Sequence, residues 1–153
     1  MSDAETIPSF GAMLRLALGD ALAADAGEDF LAMCDDDIVF QFPYAPPGTV
    51  TEVRGKDRLA AYLPKVGALI AFESMGTPIT HASRDDETFV LEFSCTGSGA
   101  QTGARYDQDY ISVIRVRNGR IVHYRDYWNP LILLEAAGGT ETLTSNFQEF
   151  IDG

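Results

Sequence analysis

Between Asn118 and Pro130 the chain reads Asn-Gly-Arg-Ile-Val-His-Tyr-Arg-Asp-Tyr-Trp-Asn-Pro, which sets one carboxylate, Asp126, among aromatic rings. Asn118-Gly119 is a two-residue hairpin signal, because both positions tolerate positive φ, and a strand follows it. Period-2 alternation places Val122, Tyr124, Asp126 and Trp128 on one face and Ile121, His123, Arg125, Tyr127 and Asn129 on the other. If the first face lines a cavity, Asp126 is the residue best suited to chemistry. A carboxyl crowded by rings loses hydration, its pKa rises, and it becomes a usable general acid or base near neutral pH. The alternative is an ionised Asp126 paired with Arg105 or Arg125 as a structural contact.

The elements that must hold this carboxylate can be read from hydrophobic period. Phe10, Met13, Leu14, Ala17, Leu18, Ala21 and Leu22 recur at helical spacing, with Pro8 suited to the first turn. A short second helix is expected at about 28–33, and Leu59, Tyr62, Leu63, Val66 and Ile70 mark a third, kinked at Pro64. Ile38, Phe40 and Phe42 alternate along a strand that ends in the turn Pro43-Tyr44-Ala45-Pro46-Pro47-Gly48, and a short β segment fits 49–54. The Asp35 to Asp37 run reads as a solvated connection between helix and strand.

From Phe72 onward the period becomes 2, giving antiparallel strands at about 72–83, 87–97, 104–117 and 120–129 in a meander. The Gly97 to Gly103 stretch reads as a hairpin end, since no Lys-Ser/Thr closes it as a phosphate loop would. A last helix begins near Pro130 and stops at Gly138-Gly139. Residues 138–153 form a polar tail whose Phe147, Phe150 and Ile151 either pack as a short helix or fray. Helices followed by a meander indicate the α+β class, with a curved antiparallel sheet packed on three N-terminal helices and a short C-terminal helix.

Inward faces then follow. Phe89, Leu91, Phe93 and Cys95 form one set, and Tyr106, Gln108, Tyr110, Ser112 and Ile114 another, with Asp107 and Asp109 turned outward. With Tyr124, Asp126 and Trp128 they describe an aromatic and aliphatic surface with a few polar groups at one end, the general anatomy of a small-molecule pocket. Candidate ligand-binding residues are Phe40, Phe42, Tyr44, Phe93, Tyr106, Gln108, Tyr110, Tyr124 and Trp128, with Asp126 as the catalytic group. His123 falls on the face opposite Asp126, suited to the surface or a subunit contact, and His81 sits near a strand end. No spaced His, Cys, Asp or Glu set resembles a metal site, and no Gly-x-Ser-x-Gly elbow occurs. Cys34 and Cys95 have no Cys-x-x-Cys spacing and read as buried small hydrophobes.

Composition bounds the rest. A chain of 153 residues, 46% hydrophobic and 22% charged, suits one domain that buries about 70% of its unfolded surface. A net charge of -12, with only 11 scattered Lys and Arg, opposes nucleic acid and anionic membrane surfaces as partners. No stretch approaches the roughly 20 apolar residues of a membrane span, and the N-terminus lacks a basic, apolar leader pattern. Cytoplasmic residence is the expectation.

Three segments carry a resemblance: Phe40-Gln-Phe-Pro-Tyr-Ala-Pro-Pro47, Tyr106-x-Gln-x-Tyr-Ile-Ser-Val-Ile114 and Gly119-Arg-Ile-x-His-Tyr-Arg-Asp-Tyr-Trp-Asn-Pro130. Over about 8–137 the chain resembles the SnoaL-like branch of the nuclear-transport-factor-2-like superfamily, which also holds ketosteroid isomerases and limonene epoxide hydrolase. It looks most similar to the branch related to phenazine-biosynthesis A/B proteins. The resemblance implies a cone of curved sheet closed by helices over a deep pocket, a homodimer through the outer sheet face, and no cofactor.

It also implies that Asp126 matches the acid used by the phenazine group, there a Glu, and by the epoxide hydrolase. The hydrolase's Arg and second Asp fall at Phe93 and Cys95, and its water-holding Tyr and Asn at Phe40 and Phe42, so hydrolysis by that route is not expected. The histidine partner of the phenazine-type site has no clear counterpart. What remains is proton transfer on a mostly apolar, carbonyl-bearing metabolite, by isomerisation or cyclisation. The rival is a protein that binds such a ligand without transforming it.

Overall fold

In the computed structural model, which describes Ile7 and residues 9–151, the chain forms one curved, open, mixed sheet with helices packed against it. In order it runs through α1 (Phe10–Leu18), α2 (Phe30–Met33), β1 (Cys34–Gln41), β2 (Glu52–Arg54), α3 (Lys56–Leu69), β3 (Ile70–Met75), β4 (Ile79–Ala82), β5 (Thr88–Gly99), β6 (Gln108–Arg117) and β7 (Arg120–Trp128). Then come α4 (Pro130–Ala137), α5 (Thr140–Asn146) and α6 (Gln148–Ile151). The sheet order is β2-β1-β7-β6-β5-β3, with β4 also pairing β5. The α+β class expected from the sequence is the class observed. Pro8 lies outside the described residues; the cap of α1 is Ser9, whose hydroxyl accepts from Ala12 N at 3.0 Å.

Four local expectations are corrected. One strand pair is parallel, since β1 lies beside β7 in the same direction, while the β3-β5-β6-β7 run is antiparallel. The single strand expected at 72–83 is two: β3 pairs with the far half of β5 and β4 with its near half. Gly76 and Pro78 fall in the break, where Pro78 has no N–H for a ladder. The acids Asp35 to Asp37 lie inside β1, not before it. A register shift between Cys34 and Val39 accompanies them, and Asp36 and Asp37 face solvent. Finally, Ile70, expected on the third helix, opens β3, because α3 ends at Leu69.

Residues after Gly138 pack. Helices α5 and α6 bury Leu143, Phe147 and Phe150, and the last two rings lie 5.5 and 5.3 Å from that of Tyr62 on α3. Arg58 reinforces the contact, with its guanidinium 5.1 Å from the Phe150 ring centre and a 2.7 Å hydrogen bond to the Glu149 carbonyl.

The β6–β7 hairpin turns at Asn118 and Gly119, with φ of 53° and 77°. Both are positive, as a two-residue hairpin requires. Its register contains the feature that aims the site. Arg117 pairs with Arg120 and Val116 with Ile121, but Arg115 pairs with His123, leaving Val122 as an extra residue. This bulge reverses the alternation near the turn: Ile121 is fully buried and Val122 is not, contrary to simple period 2. Beyond it, Tyr124, Asp126 and Trp128 share the inner face with Ile114, Ser112 and Tyr110, opposite which they pair.

Gly119 is fixed by more than its φ, because a Cβ there would meet Ala23 Cβ at 2.6 Å and Ala23 N at 2.8 Å. Gly119→Ala combines left-handed strain with overpacking and is expected to destabilise by about 2–4 kcal/mol. The shift of the urea midpoint at unchanged m-value measures it.

Candidate functional site

A cavity of about 400 Å³ lies between α3, α5 and the inner face of the sheet. That size falls in the range of small-molecule sites. Phe40 and Phe42 from β1 and the residue after it, Phe93 from β5, Tyr106 and Tyr110 from β6 and its approach, and Asp126 and Trp128 from β7 all line it. Strand pairing brings these residues together: Phe93 pairs with Tyr110, Tyr110 with Trp128, and Ser112 with Asp126.

Asp126 is the carboxylate set deepest in this lining. Burial pushes its pKa up from 3.8 to about 7, opposed by hydrogen bonds from the Ser112 hydroxyl and the Trp128 side chain. Ser112 Oγ lies 3.2 Å from Asp126 Oδ1 and 2.8 Å from the Tyr124 hydroxyl. The structural-pair alternative is not what forms. Arg105 instead clamps Glu73 at 3.0 Å and Asp107 at 2.7 Å, and no ion pair involves Asp126 among the described residues.

Two phenols face the same space. The Tyr106 and Tyr110 hydroxyls are 2.9 Å apart, and Tyr110 stacks on Phe93 at 4.9 Å. One O–H is used in their mutual bond. Beyond it, the Tyr110 hydroxyl has Cys95 Sγ at 3.9 Å, a weak partner, so the second O–H can turn to a ligand. Burial raises the Tyr106 pKa to about 12 and that of Tyr110 well above 10, so both stay protonated donors at neutral pH.

Three candidates lie elsewhere. Tyr44 is 59% exposed, its ring against Tyr127 at 5.3 Å on the outside, because the proline-rich turn leads away from the cavity. Gln108 is buried, but both ends of its amide are engaged by the Asn129 backbone, at 3.1 and 2.9 Å. There it fixes the exit of β7, and Asn129 in turn caps α4. Tyr124 is wholly buried beneath the cavity, its ring within 5.0 to 6.2 Å of Phe40, Phe30 and Phe10. Aromatic packing holds it as core.

Sequence reasoning gave Ser112 no role at the carboxylate, and it missed Tyr62 and Glu73 as lining residues. Tyr62 was visible as part of the apolar stripe of α3. Ser112 was visible as the one small hydroxyl on an inward strand face, but its pairing with Asp126 depends on the Val122 bulge.

The histidines stand apart from the carboxylate. His81 pairs with Glu92 at 2.7 Å on the surface, and His123 Nε2 donates to the Gln41 Oε1 at 2.6 Å. Partial burial, then the Arg125 charge, lowers the His123 pKa. Among the described residues no group of three His, Cys, Asp or Glu side chains could hold a metal ion, and no helix is long and apolar enough to cross a membrane. Burial pushes the Cys34 thiol up to about 12 and raises that of Cys95, which makes both poor nucleophiles.

The profile of the SnoaL-like domain family matches residues 16–124. The chain belongs to that family. Among SnoaL-like relatives, the uncharacterised protein YesE of Bacillus subtilis is 45% identical over 106 residues, 69% of this chain and 72% of YesE. A PhzA/B-like protein of Pseudomonas aeruginosa, PA3332, is 38% identical over 103 residues, covering 67% of this chain and 72% of that one. The crystal structure of a Bacillus subtilis protein provisionally named an isomerase superposes with a TM-score of 0.71 at 39% identity, over 84% of this SnoaL-like chain and 88% of its own.

The raised Asp126 pKa has a stability consequence whose sign is fixed. The unfolded chain ionises this group near pH 4 and the native protein near 7, so the native state holds the extra proton between them and loses stability as pH rises through that window. Asp126→Asn removes the effect. Relative to wild type, the variant is expected to gain stability from pH 4 to pH 8 by about 4 kcal/mol, measured by urea denaturation at each pH.

Proposed function

We propose that this protein is a cofactor-independent enzyme that moves a proton on a mostly apolar, carbonyl-bearing small molecule, by isomerisation or intramolecular cyclisation. The observation that carries the proposal is a carboxyl on the wall of an aromatic cavity with a pKa of about 7. Such a group is ionised often enough to take a proton and basic enough to make the transfer feasible. Ionised Asp126 would accept a proton from the carbon beside the carbonyl. The Tyr106–Tyr110 pair would direct its free O–H at the carbonyl oxygen as negative charge develops there. Protonated Asp126 would then return the proton at another position.

The lining also supports an uncharged substrate. Its ionisable members are Asp126, Glu73 and phenols, and no Lys, Arg or His is among them. An anionic ligand would be desolvated there without a counter-charge, beside a group that must itself become negative. Phe40 and Phe42 stand in the lining where the resemblance places the epoxide hydrolase's water-holding Tyr and Asn, which favours proton transfer over hydrolysis by that route.

The rival is a protein that only holds an apolar ligand, and the apolar lining alone serves it equally well. The Asp126 environment is what favours the enzyme. A homodimer through the outer sheet face is part of the proposal, supported by exposed Ile111 paired opposite Tyr127, whose ring meets Tyr44. Light scattering at micromolar concentration is expected to give twice the chain mass, and a monomer would remove that part.

Exchange of α-protons for deuterium across a panel of neutral cyclic ketones and enones, followed by NMR in heavy water, tests the chemistry without knowledge of the product. Catalysed exchange is expected to rise with pH to a plateau above about 7, as Asp126 ionises. Asp126→Asn should abolish it while thermal-shift binding of the same compound persists, and Tyr110→Phe should slow it by about 10- to 100-fold. Exchange that survives Asp126→Asn would sink the assigned role, and binding without any exchange by wild type would favour the carrier.

A further inference from the structure

We infer that Tyr124 and Ser112 form a buried, one-directional hydrogen-bond relay that positions Asp126 and directs its titrating proton to the carboxyl oxygen not bound by Ser112. The inference deepens the proton-transfer proposal, and rests on it for its functional meaning. Its structural basis is independent of any substrate.

Counting protons fixes the direction. Tyr124 has no exposed surface, and Ser112 Oγ, at 2.8 Å, is the only hydrogen-bond partner of its hydroxyl among the described residues. A buried phenol O–H must donate, so it donates to Ser112. Ser112, equally buried, carries one O–H, and with its oxygen receiving from Tyr124 that proton goes to Asp126 Oδ1 at 3.2 Å. The chain therefore runs Tyr124 O–H to Ser112 O–H to Asp126.

A proton placed on Oδ1 would either make Ser112 accept from both neighbours, leaving its own buried O–H without an acceptor, or need Ser112 to turn round and donate to Tyr124. In the second case the Tyr124 O–H would be left in an aromatic core with no acceptor. Either penalty keeps Oδ1 as an acceptor and assigns the exchangeable proton to the other oxygen. Because Tyr124 is wedged between Phe30 and Phe40, the relay has a rigid anchor.

The surroundings do not compete with it. The titratable groups packed around Asp126 are Tyr62 from α3, Cys95 from β5, Tyr106 and Tyr110 from β6 and its approach, and Tyr124 from β7. All are held neutral by burial at physiological pH. Glu73, which also lines the cavity, is paired with Arg105. The relay and the Trp128 side chain are thus the groups that stabilise the charged form of Asp126.

The test is carboxyl-resolved NMR titration of Asp126 in the full-length protein, which needs no substrate. Ser112→Ala removes a donor to the ionised form and is expected to raise the Asp126 pKa by about one unit or more. Tyr124→Phe keeps the ring and the Ser112 donor, and is expected to raise it by a smaller but resolved amount, a few tenths of a unit, through lost polarisation alone. Ser112→Thr, which keeps the hydroxyl, should bring the value back toward wild type.

An unmoved or lowered pKa in Ser112→Ala overturns the relay. So does a Tyr124→Phe titration identical to wild type, which remains readable if Ser112→Ala fails to fold. Failure of deuterium exchange with a normal response to these variants would reject the enzyme while leaving the relay standing.

Discussion

The site depends on how two adjacent strands are registered. If Val122 were paired instead of bulged out, β6 and β7 would keep the pairing set at the turn, in which Val116 meets Ile121. Tyr124 would then stand opposite Val113, and Asp126 opposite Ile111, on the outer face of β6. The bulge shifts the pairing by one position, so that Tyr124, Asp126 and Trp128 meet Ile114, Ser112 and Tyr110. A one-residue shift in a sheet exchanges inside for outside, and here it carries the carboxylate into the cavity.

Once inside, the carboxylate is tolerated because everything near it is arranged for one extra proton rather than for a counter-ion. The guanidinium of Arg105, which reaches the lining residue Glu73, is held by Glu73 and Asp107. Trp128 and Ser112 supply neutral donors to Asp126 instead. Neutral donors lower a pKa less than a full positive charge does, so burial prevails and the group stays poised near neutrality. The surrounding ring contacts, each worth about 0.5–1.5 kcal/mol, form the stable frame in which such a strained ionisation can be held.

Much of this was legible in the chain. Asn118-Gly119 located the hairpin, the period-2 runs located β5 and β6 with their inner faces, and the ring-flanked acid located the carboxylate. The misplacements have physical causes that local pattern does not encode. Period 2 gave Val122 the place that Ile121 takes, because a bulge leaves no mark in the alternation of residue types. Tyr124 and Gln108 sit on the inner face as expected, yet depth along that face separates core from cavity, and depth is a property of the packed helices. Tyr44 was misplaced because a turn's direction is set by tertiary contacts. The parallel β1–β7 pair and the packing of 138–151 are long-range, and no local period announces either one.

That parallel pair also sets an order of events in folding. The strands β5, β6 and β7 can zip from their connecting turns, where closing a loop is entropically cheap. The bond between His123 and Gln41 instead joins positions 82 residues apart. Until β1 docks, β7 is an edge strand with unpaired backbone groups, and it is the strand that carries Asp126. The stage most exposed to misassembly between chains is therefore the one just before β1 arrives, and a slow docking step there, rather than the stability of the finished fold, would govern the yield of native protein.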